Sequence, residues 1–125
     1  ISRCEELNFL GLCRKIRDLS FRSRQKQIKP EELSGSTFSV SNFGVFGVVA
    51  GTPIINQPNV GILGVGAINK KPTVIESDLG DTIGIRHRMY LSLGFDHRLI
   101  DGAGGSKFIK SVQTNLESLE LDHLL

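Results

Sequence analysis

The stretch of sequence richest in potential chemistry runs over residues 96–102 and reads Asp-His-Arg-Leu-Ile-Asp-Gly. A histidine titrates near neutral pH, so His97, held at the end of a strand, could take a proton from a thiol or a hydroxyl. An acidic residue four positions later, Asp101, could fix the loop that carries the imidazole. The alternative is that Asp101 only caps a following helix and that residues 96–98 are ordinary polar residues at a strand end. Spacing alone leaves both interpretations open.

An amphipathic helix is predicted over residues 9–19, because apolar side chains recur there at helical spacing. The apolar positions are Phe9, Leu12, Ile16 and Leu19. We expect the helix to end near residues 25–29, because Pro30 disfavours helical geometry in the residue before it. Four cations lie around this end: Arg22, Arg24, Lys26 and Lys29. Aromatic side chains do not alternate with these cations, so we interpret them as a solvated helix end rather than a nucleic-acid patch.

Two strands are predicted in the middle of the chain. Period-two alternation over residues 37–41 predicts a half-buried strand with Ser41 on its polar side. Residues 42–59 contain several glycines and prolines and are expected to form an irregular connection. The apolar run 60–68 is interrupted only by the small residues Gly61, Gly64 and Gly66, and it predicts a strand buried on both faces.

The last third of the sequence leads into the stretch that contains His97. Residues 69–72 are expected to form a turn and residues 73–76 a short strand. The alternation over residues 82–95 is the longest and predicts one long strand. His87 falls on its apolar face, where we expect a hydrogen-bonded core histidine rather than a catalytic one. A second amphipathic helix is predicted to start near Gly102, which gives an α/β or α+β arrangement, a mixed β-sheet flanked by helices.

Composition limits the classes of protein that fit. The chain has 125 residues, of which 39% are hydrophobic and 22% charged, and this fits one globular domain or part of one. Fifteen Lys and Arg against 13 Asp and Glu give a net charge of +2, too weak a field to argue for nucleic acid or a membrane surface. Cys4 and Cys13 are expected to be free thiols in a reducing compartment. No apolar run approaches the roughly 20 residues that a membrane-spanning helix needs.

Four motifs, in order along nearly the whole chain, resemble the catalytic domain of dihydrolipoyl acyltransferases, the core component of 2-oxo acid dehydrogenase complexes. They are Ser41-Asn42-Phe43-Gly44, Gly51-Thr52-Pro53-Ile54-Ile55-Asn56, Ile62-Leu63-Gly64-Val65-Gly66 and Asp96-His97-Arg98. Residues 97–102 also fit the His-x-x-x-Asp-Gly motif of the chloramphenicol acetyltransferase-like superfamily. Chloramphenicol acetyltransferases and peptide-synthetase condensation domains carry a second histidine before the catalytic one. The aspartate at position 96 therefore favours the dihydrolipoyl family.

The resemblance implies a role for three residues. His97 resembles the general base that deprotonates a thiol of coenzyme A or of dihydrolipoamide, because the thiolate is the form that attacks a thioester. Ser41 matches the serine whose hydroxyl donates a hydrogen bond to the resulting oxyanion. Asp101 matches the acidic residue that orders the histidine loop. For Ser41 the alternative is an ordinary turn hydroxyl at a strand end.

The resemblance also implies contacts with coenzyme A, which is a substrate here. By alignment with the family they fall on Ser41, Asn42, Gly66 and Ile68. A glycine at position 66 would let a ligand approach the backbone closely, although close packing between strands explains the same residue. The family carries its lipoyl group on a separate domain, and no metal is implied.

The resemblance assigns residues 1–125 to the C-terminal portion of the catalytic domain, present here as a partial domain of chloramphenicol acetyltransferase-like fold. We expect the lipoyl and subunit-binding domains to be absent and the fragment alone to be inactive. The family forms homotrimers, with the histidine and the serine of one site on different chains, and trimers assemble into a cubic or dodecahedral core. Expected partners are the dehydrogenase and dihydrolipoyl dehydrogenase components, with no nucleic acid and no membrane.

The expected reaction is acyl transfer between dihydrolipoamide and coenzyme A in the bacterial cytoplasm or the mitochondrial matrix. Residues 44–47 with residues 51–53 resemble succinyl-transferring members slightly more than branched-chain ones, and an acetyl or branched-chain group stays open. One alternative is another coenzyme A-dependent acyltransferase of the superfamily, acting on an alcohol or an amine. The other is a core scaffold without catalytic activity.

Overall fold

The computed structural model describes residues 1–120, so residues 121–125 of the predicted domain portion lie outside the described residues. The chain divides into two compact units. Ile1–Thr37 together with residues 110–120 forms the first unit, and Phe38–Ile109 forms the second. Among the described residues, no helix combines the length and apolar character needed to cross a membrane.

The first unit contains the predicted N-terminal helix, α1, which spans Phe9–Arg24. Asn8 caps its start, because the Asn8 side chain accepts a hydrogen bond of 2.8 Å from the backbone N–H of Gly11. The helix ends just before Gln25, which confirms the predicted end. A short 3₁₀ turn, Pro30–Leu33, follows after a few residues. Both cysteines are exposed free thiols, as predicted.

An ion-pair network joins the end of α1 to this turn. The Arg22 guanidinium donates to Asp18 at 2.9 Å and to both carboxylate oxygens of Glu32 at 2.7 and 2.9 Å. The Arg22 guanidinium and the backbone N–H of Lys29 lower the pKa of Glu32 to about 2. Part of the cationic helix end is therefore neutralised within the chain.

The second unit contains a three-stranded mixed sheet in the order β1-β2-β5. Strand β1 (Ser39–Asn42) pairs in parallel with β2 (Gly61–Val65), and β2 pairs in antiparallel with β5 (Leu91–Phe95). Helix α2 spans Gly102–Glu117 and begins a few residues after β5. The mixed sheet with helices confirms the predicted fold class.

A separate antiparallel hairpin forms the second sheet and corrects two predictions. Its strands are β3 (Asn69–Ile75) and β4 (Thr82–Arg88), so the turn expected at residues 69–72 is wrong. The single long strand expected over residues 82–95 is also wrong, because β4 pairs with β3 whereas β5 pairs with β2. Side chains alternate with period two in either sheet, so alternation continues across the break and conceals it.

The core position expected for His87 is wrong for the same reason. His87 lies exposed on β4, opposite Lys70 of β3, in a hairpin whose apolar residues are largely uncovered. Ile83, for example, keeps 81% of its surface exposed. Period-two alternation identifies which residues share a face of a strand, but it does not say whether anything covers that face.

The two faces of the three-stranded sheet are covered to different extents along β1. On one face, the loop after β1 contacts the strands, and Ser39 and Ser41 lie beneath partial cover on that side. Val40, on the opposite face, is 66% exposed. The expected half-burial of β1 is therefore reversed, since its polar side chains are more covered than its valine. Large apolar patches that remain exposed on a folded chain are typical of surfaces that another protein segment covers.

Candidate active site

His97 lies in the turn between β5 and α2, and its side chain is exposed. The pairing of β5 with the chain before β2 continues one residue past the strand, because the Asp96 N–H donates to the Val60 carbonyl at 2.9 Å. The chain then turns, since the N–H groups of Leu99 and Ile100 both donate to the Asp96 carbonyl at 3.0 Å. The turn therefore presents His97 at its outer edge.

His97 forms part of the wall of a cavity of about 770 Å³. Two segments line this cavity: residues 54–59 of the irregular connection, apart from Pro58, and residues 95–98 of the turn. Ile54, one of the apolar lining residues, is 90% exposed, so the cavity is open to solvent. An imidazole on such a wall can reach a small thiol that enters the cavity.

The two residues beside His97 in the sequence form an ion pair that the sequence interpretation did not assign. The Arg98 side chain donates to both Asp96 carboxylate oxygens, at 2.7–3.2 Å, and the Arg98 backbone N–H donates to one of them at 3.0 Å. These contacts lower the pKa of Asp96 to about 2. Asp96 is therefore a carboxylate at neutral pH and holds no proton to exchange. The sequence signal for this ion pair was an acidic and a basic residue on either side of His97.

The ring of Phe95 was also not assigned a role from the sequence. It lies against the His97 imidazole with a distance of 5.4 Å between ring centroids and an angle of 41° between ring planes. Asn59, on the cavity wall, is 3% exposed and donates from Nδ2 to Ser39 Oγ. The cavity wall is thus tied to the start of β1 as well as to the end of β5.

Asp101 caps α2, which was one of the two interpretations of this residue. Its Oδ1 accepts a hydrogen bond of 2.7 Å from the Gly104 N–H, and its carbonyl accepts one of 3.0 Å from the Gly105 N–H. Because α2 starts directly after the turn that carries His97, this cap also fixes one end of that turn. Its further role in ordering the imidazole remains a prediction.

The predicted coenzyme contacts lie together at the other end of the sheet. Ser41 and Asn42 pair with Gly64 and Val65 at the end of β2, and Gly66 follows at once. Ile68, two residues further, is 64% exposed. The register therefore places Ser41 and Asn42 beside the end of β2, close in sequence to Gly66 and Ile68, and contact with coenzyme A stays a prediction.

Gly66 is packed against the chain's own backbone. A Cβ added there would lie 2.1 Å from the Val49 carbonyl oxygen and 3.1 Å from that of Tyr90. The Gly66 N–H donates to the Tyr90 carbonyl at 3.0 Å. Close packing alone thus requires glycine at this position, and an approach by coenzyme A stays a prediction.

The structure does not bring Ser41 and His97 of one chain together. Through Gly64, Ser41 lies in register with Ser92 of β5, two strand spacings of about 4.8 Å away. Phe95 lies three residues, or about 10 Å, further along β5, and His97 lies beyond it. A serine hydroxyl reaches only about 3 Å to an acceptor. The two groups of one chain therefore cannot face the same thioester.

Each end of the sheet can supply one part of an acyl-transfer site. The His97 end offers a base beside an open cavity, and the Ser41 end offers a hydroxyl donor at the end of a strand. Within residues 1–120, no cluster of three or more His, Cys, Asp or Glu side chains is arranged to hold a metal ion.

A family model matches nearly the whole of this chain. The model for 2-oxoacid dehydrogenases acyltransferase (catalytic domain) matches residues 1–124. Two curated relatives illustrate the range of acyltransferases to which this chain is similar. A dihydrolipoyllysine-residue acetyltransferase component of the pyruvate dehydrogenase complex from Corynebacterium glutamicum is 39% identical over 98% of this chain. A mitochondrial dihydrolipoyllysine-residue succinyltransferase component of the 2-oxoglutarate dehydrogenase complex from Bos taurus is 39% identical over 94% of it.

Solved structures show the same similarity. A probable dihydrolipoamide acetyltransferase from Listeria monocytogenes superimposes with a TM-score of 0.89 and 33% identity over 97% of this chain. The cubic core of a pyruvate dehydrogenase multienzyme complex superimposes with a TM-score of 0.78 and 33% identity over 87% of it. This chain covers 18% and 25% of the two curated relatives, and 50% and 43% of the two solved chains.

Proposed function

Because the chain belongs to the 2-oxoacid dehydrogenases acyltransferase (catalytic domain) family, we propose that it supplies both halves of an acyl-transfer site to an assembly of several copies. The proposed reaction moves an acyl group between dihydrolipoamide and coenzyme A. The observation that supports it most directly is His97, exposed on the wall of an open cavity at the turn that carries the family's motif.

His97 acts as a general base in this proposal. The imidazole takes the proton of the attacking thiol, and the thiolate forms a bond to the thioester carbonyl carbon. The tetrahedral intermediate then collapses, the bond to the second sulfur breaks, and the imidazolium returns the proton to that leaving thiolate. Atoms and charge balance without a covalent acyl-enzyme. Positioning both thiols in one channel supplies much of the rate.

Ser41 of another copy would stabilise the intermediate. Its hydroxyl donates a hydrogen bond to the negative oxygen that develops on the carbonyl carbon. Asn42, Gly66 and Ile68 would contact coenzyme A beside it. This division between copies is supported by the register, which keeps Ser41 and His97 of one chain at opposite ends of the sheet.

The assembly proposed is a homotrimer that joins further trimers into a closed core. Two observations support several copies: the similarity to a cubic multienzyme core, and the exposed apolar residues on both sheets. The dehydrogenase and dihydrolipoyl dehydrogenase components are proposed as further partners, with the lipoyl group carried on a separate domain. The bacterial cytoplasm or the mitochondrial matrix is the proposed compartment.

An assay of the full-length protein with several donors and acceptors tests the proposal. Acetyl, succinyl and branched-chain thioesters of coenzyme A serve as donors, because the relatives include acetyl and succinyl transferases. Dihydrolipoamide, an alcohol and an amine serve as acceptors. We expect turnover with dihydrolipoamide, and the preferred donor identifies the acyl group. Turnover with only the alcohol or the amine would support another acyltransferase of the superfamily.

Two histidine variants complete this test. His97→Ala removes the general base and is expected to lower kcat by about 10²–10⁴-fold. His87→Ala is the matched control, because this histidine is exposed on the separate hairpin, and its rate should equal that of the unsubstituted protein. An unchanged rate in His97→Ala would exclude His97 as the base, and no turnover in the unsubstituted protein with any acceptor would support a scaffold without catalysis.

A further inference from the structure

The ring of Phe95 lies close to both the His97 imidazole and the first turns of α2. It meets the imidazole at 5.4 Å between centroids, within the range of about 4.5–7 Å typical of aromatic pairs. It also lies against Gly105, which is buried. A Cβ added to Gly105 would lie 2.5 Å from Cε1 and 2.9 Å from Cζ of the Phe95 ring. The ring is therefore seated directly on the helix backbone.

The Phe95 ring lies against a side chain that is exposed at the protein surface. His97 is exposed, and within the part of the chain that the structure describes its imidazole makes no side-chain hydrogen bond. The Phe95 ring makes an aromatic contact with this imidazole. Strand β5, which carries the ring, is held by its pairing with β2. The start of α2, which the ring contacts, is held by the Asp101 cap.

We propose that Phe95 is a positioning residue for His97, with Gly105 as the seat of its ring. The inference rests on the proposed function, in which His97 is the general base. A base must lie within about 2.6–3.2 Å of the group that it deprotonates. A misplacement of about 1 Å can cost a rate factor of about 10². The ring reduces the orientations open to the imidazole and directs it into the cavity.

Substitution of Phe95 in the full-length protein gives the first test. Phe95→Leu keeps an apolar side chain on β5 but removes the ring, and we expect kcat to fall about 10- to 100-fold. The KM for coenzyme A and for dihydrolipoamide should stay within about twofold, because neither binding group is changed. Phe95→Tyr keeps the ring and should restore kcat. A fall in Phe95→Leu that Phe95→Tyr does not restore would contradict the proposal.

Substitution of Gly105 tests whether contact with α2 positions the His97 imidazole through the Phe95 ring. Gly105→Ala should displace Phe95 and lower kcat, whereas Ser106→Ala, an exposed position on the same turn, should leave kcat unchanged. In a double-mutant cycle, Gly105→Ala added to Phe95→Leu should cost nothing further, because the ring that it displaces is already gone. Additive losses would mean that Gly105 acts independently, and they would overturn its role as the seat.

The controls separate this inference from the proposed function. Melting temperature and assembly size are measured for every variant, and if Phe95→Leu does not assemble, Gly105→Ala carries the test. If His97→Ala is inactive while Phe95→Leu retains full kcat, the positioning role is overturned and the general base stands. If His97→Ala keeps its activity, the proposed function itself fails. A crystal structure of Phe95→Leu should show the imidazole rotated out of its present orientation, and an unmoved imidazole would contradict the proposal.

Discussion

The two ends of the three-stranded sheet hold their functional residues by different means. At the His97 end, charged and polar side chains shape an exposed turn, and Asp96 pairs with Arg98 across the histidine. At the Ser41 end, backbone packs on backbone, and Gly66 leaves no room for a side chain. The first end opens into a cavity, and the second is close-packed.

This difference indicates which substitutions each end of the sheet should tolerate. The His97 end should accept changes of side chain as long as the turn and the direction of the imidazole are kept. The Ser41 end should lose stability when a side chain is added at Gly66, because the neighbours of that position are backbone groups that cannot move aside cheaply. The two ends are also too far apart to form one site within a chain.

After the loss of the His97 base, the largest effect is expected at the Ser41 hydroxyl. Ser41→Ala should lower kcat by about 10²–10³-fold, or about 2.7–4 kcal/mol of barrier, because one oxyanion donor is lost. Ser41→Thr keeps a hydroxyl and should retain more of the rate. Steady-state kinetics of the full-length protein measure both variants. A rate for Ser41→Ala equal to that of the unsubstituted protein would leave this serine as a turn hydroxyl.

Gly66→Ala tests the close backbone packing at the same end of the sheet. The added methyl would lie 2.1 Å from the Val49 carbonyl oxygen, and overpacking of this kind costs about 1–3 kcal/mol of stability. Thermal unfolding measures the loss. Gly102→Ala is the matched control for stability, because nothing lies within 4 Å of the added Cβ. Equal stability of the two variants would contradict the close packing described here.

Asp101 tests how the turn at the His97 end is held. Asp101→Ala removes the cap on Gly104 and should cost about 1 kcal/mol of stability. Asp101→Asn keeps an acceptor and should retain most of that stability. If Asp101→Asn also keeps kcat, the cap explains the residue. A stable but slow Asp101→Asn would show that the negative charge itself matters for His97.

The smallest effect is expected in the pH dependence of stability that the Asp96–Arg98 ion pair contributes at the same turn. The pKa of Asp96 is lowered to about 2 by the Arg98 side chain and backbone N–H, whereas an unfolded aspartate titrates near about 3.9. A lowered pKa means that the pair stabilises the fold above about pH 3.9 and that this contribution is lost as pH falls towards about 2. Asp96→Asn should therefore unfold less steeply with acid over that window. An identical acid transition would contradict the ion pair.

The motif around His97 could be identified in the sequence because it is contiguous. His97 and Asp101 lie on one short turn, so their spacing in the chain is close to their spacing in the fold. The helices were predicted for a similar reason, since a helix is a local element with its own start and stop signals. The end of α1 and the start of α2 both agree with those signals.

Features that depend on pairing between distant segments could not be predicted. The break between β4 and β5 leaves the alternation of side chains intact, so only the partner strands reveal it. The seat of Phe95 on Gly105 joins a strand to a helix ten residues later and has no periodic signal. The exposure of His87 depends on whether a second molecule covers the hairpin, which alternation does not encode.

Co-expression of two inactive variants tests the division of the site between copies most directly. His97→Ala and Ser41→Ala chains are co-expressed in equal amounts, purified as mixed assemblies and assayed for acyl transfer. If each site takes His97 from one copy and Ser41 from its neighbour, about a quarter of the sites in a closed ring of random composition are intact. We therefore expect about a quarter of the unsubstituted activity. Activity no higher than that of either variant alone would contradict a site shared between copies.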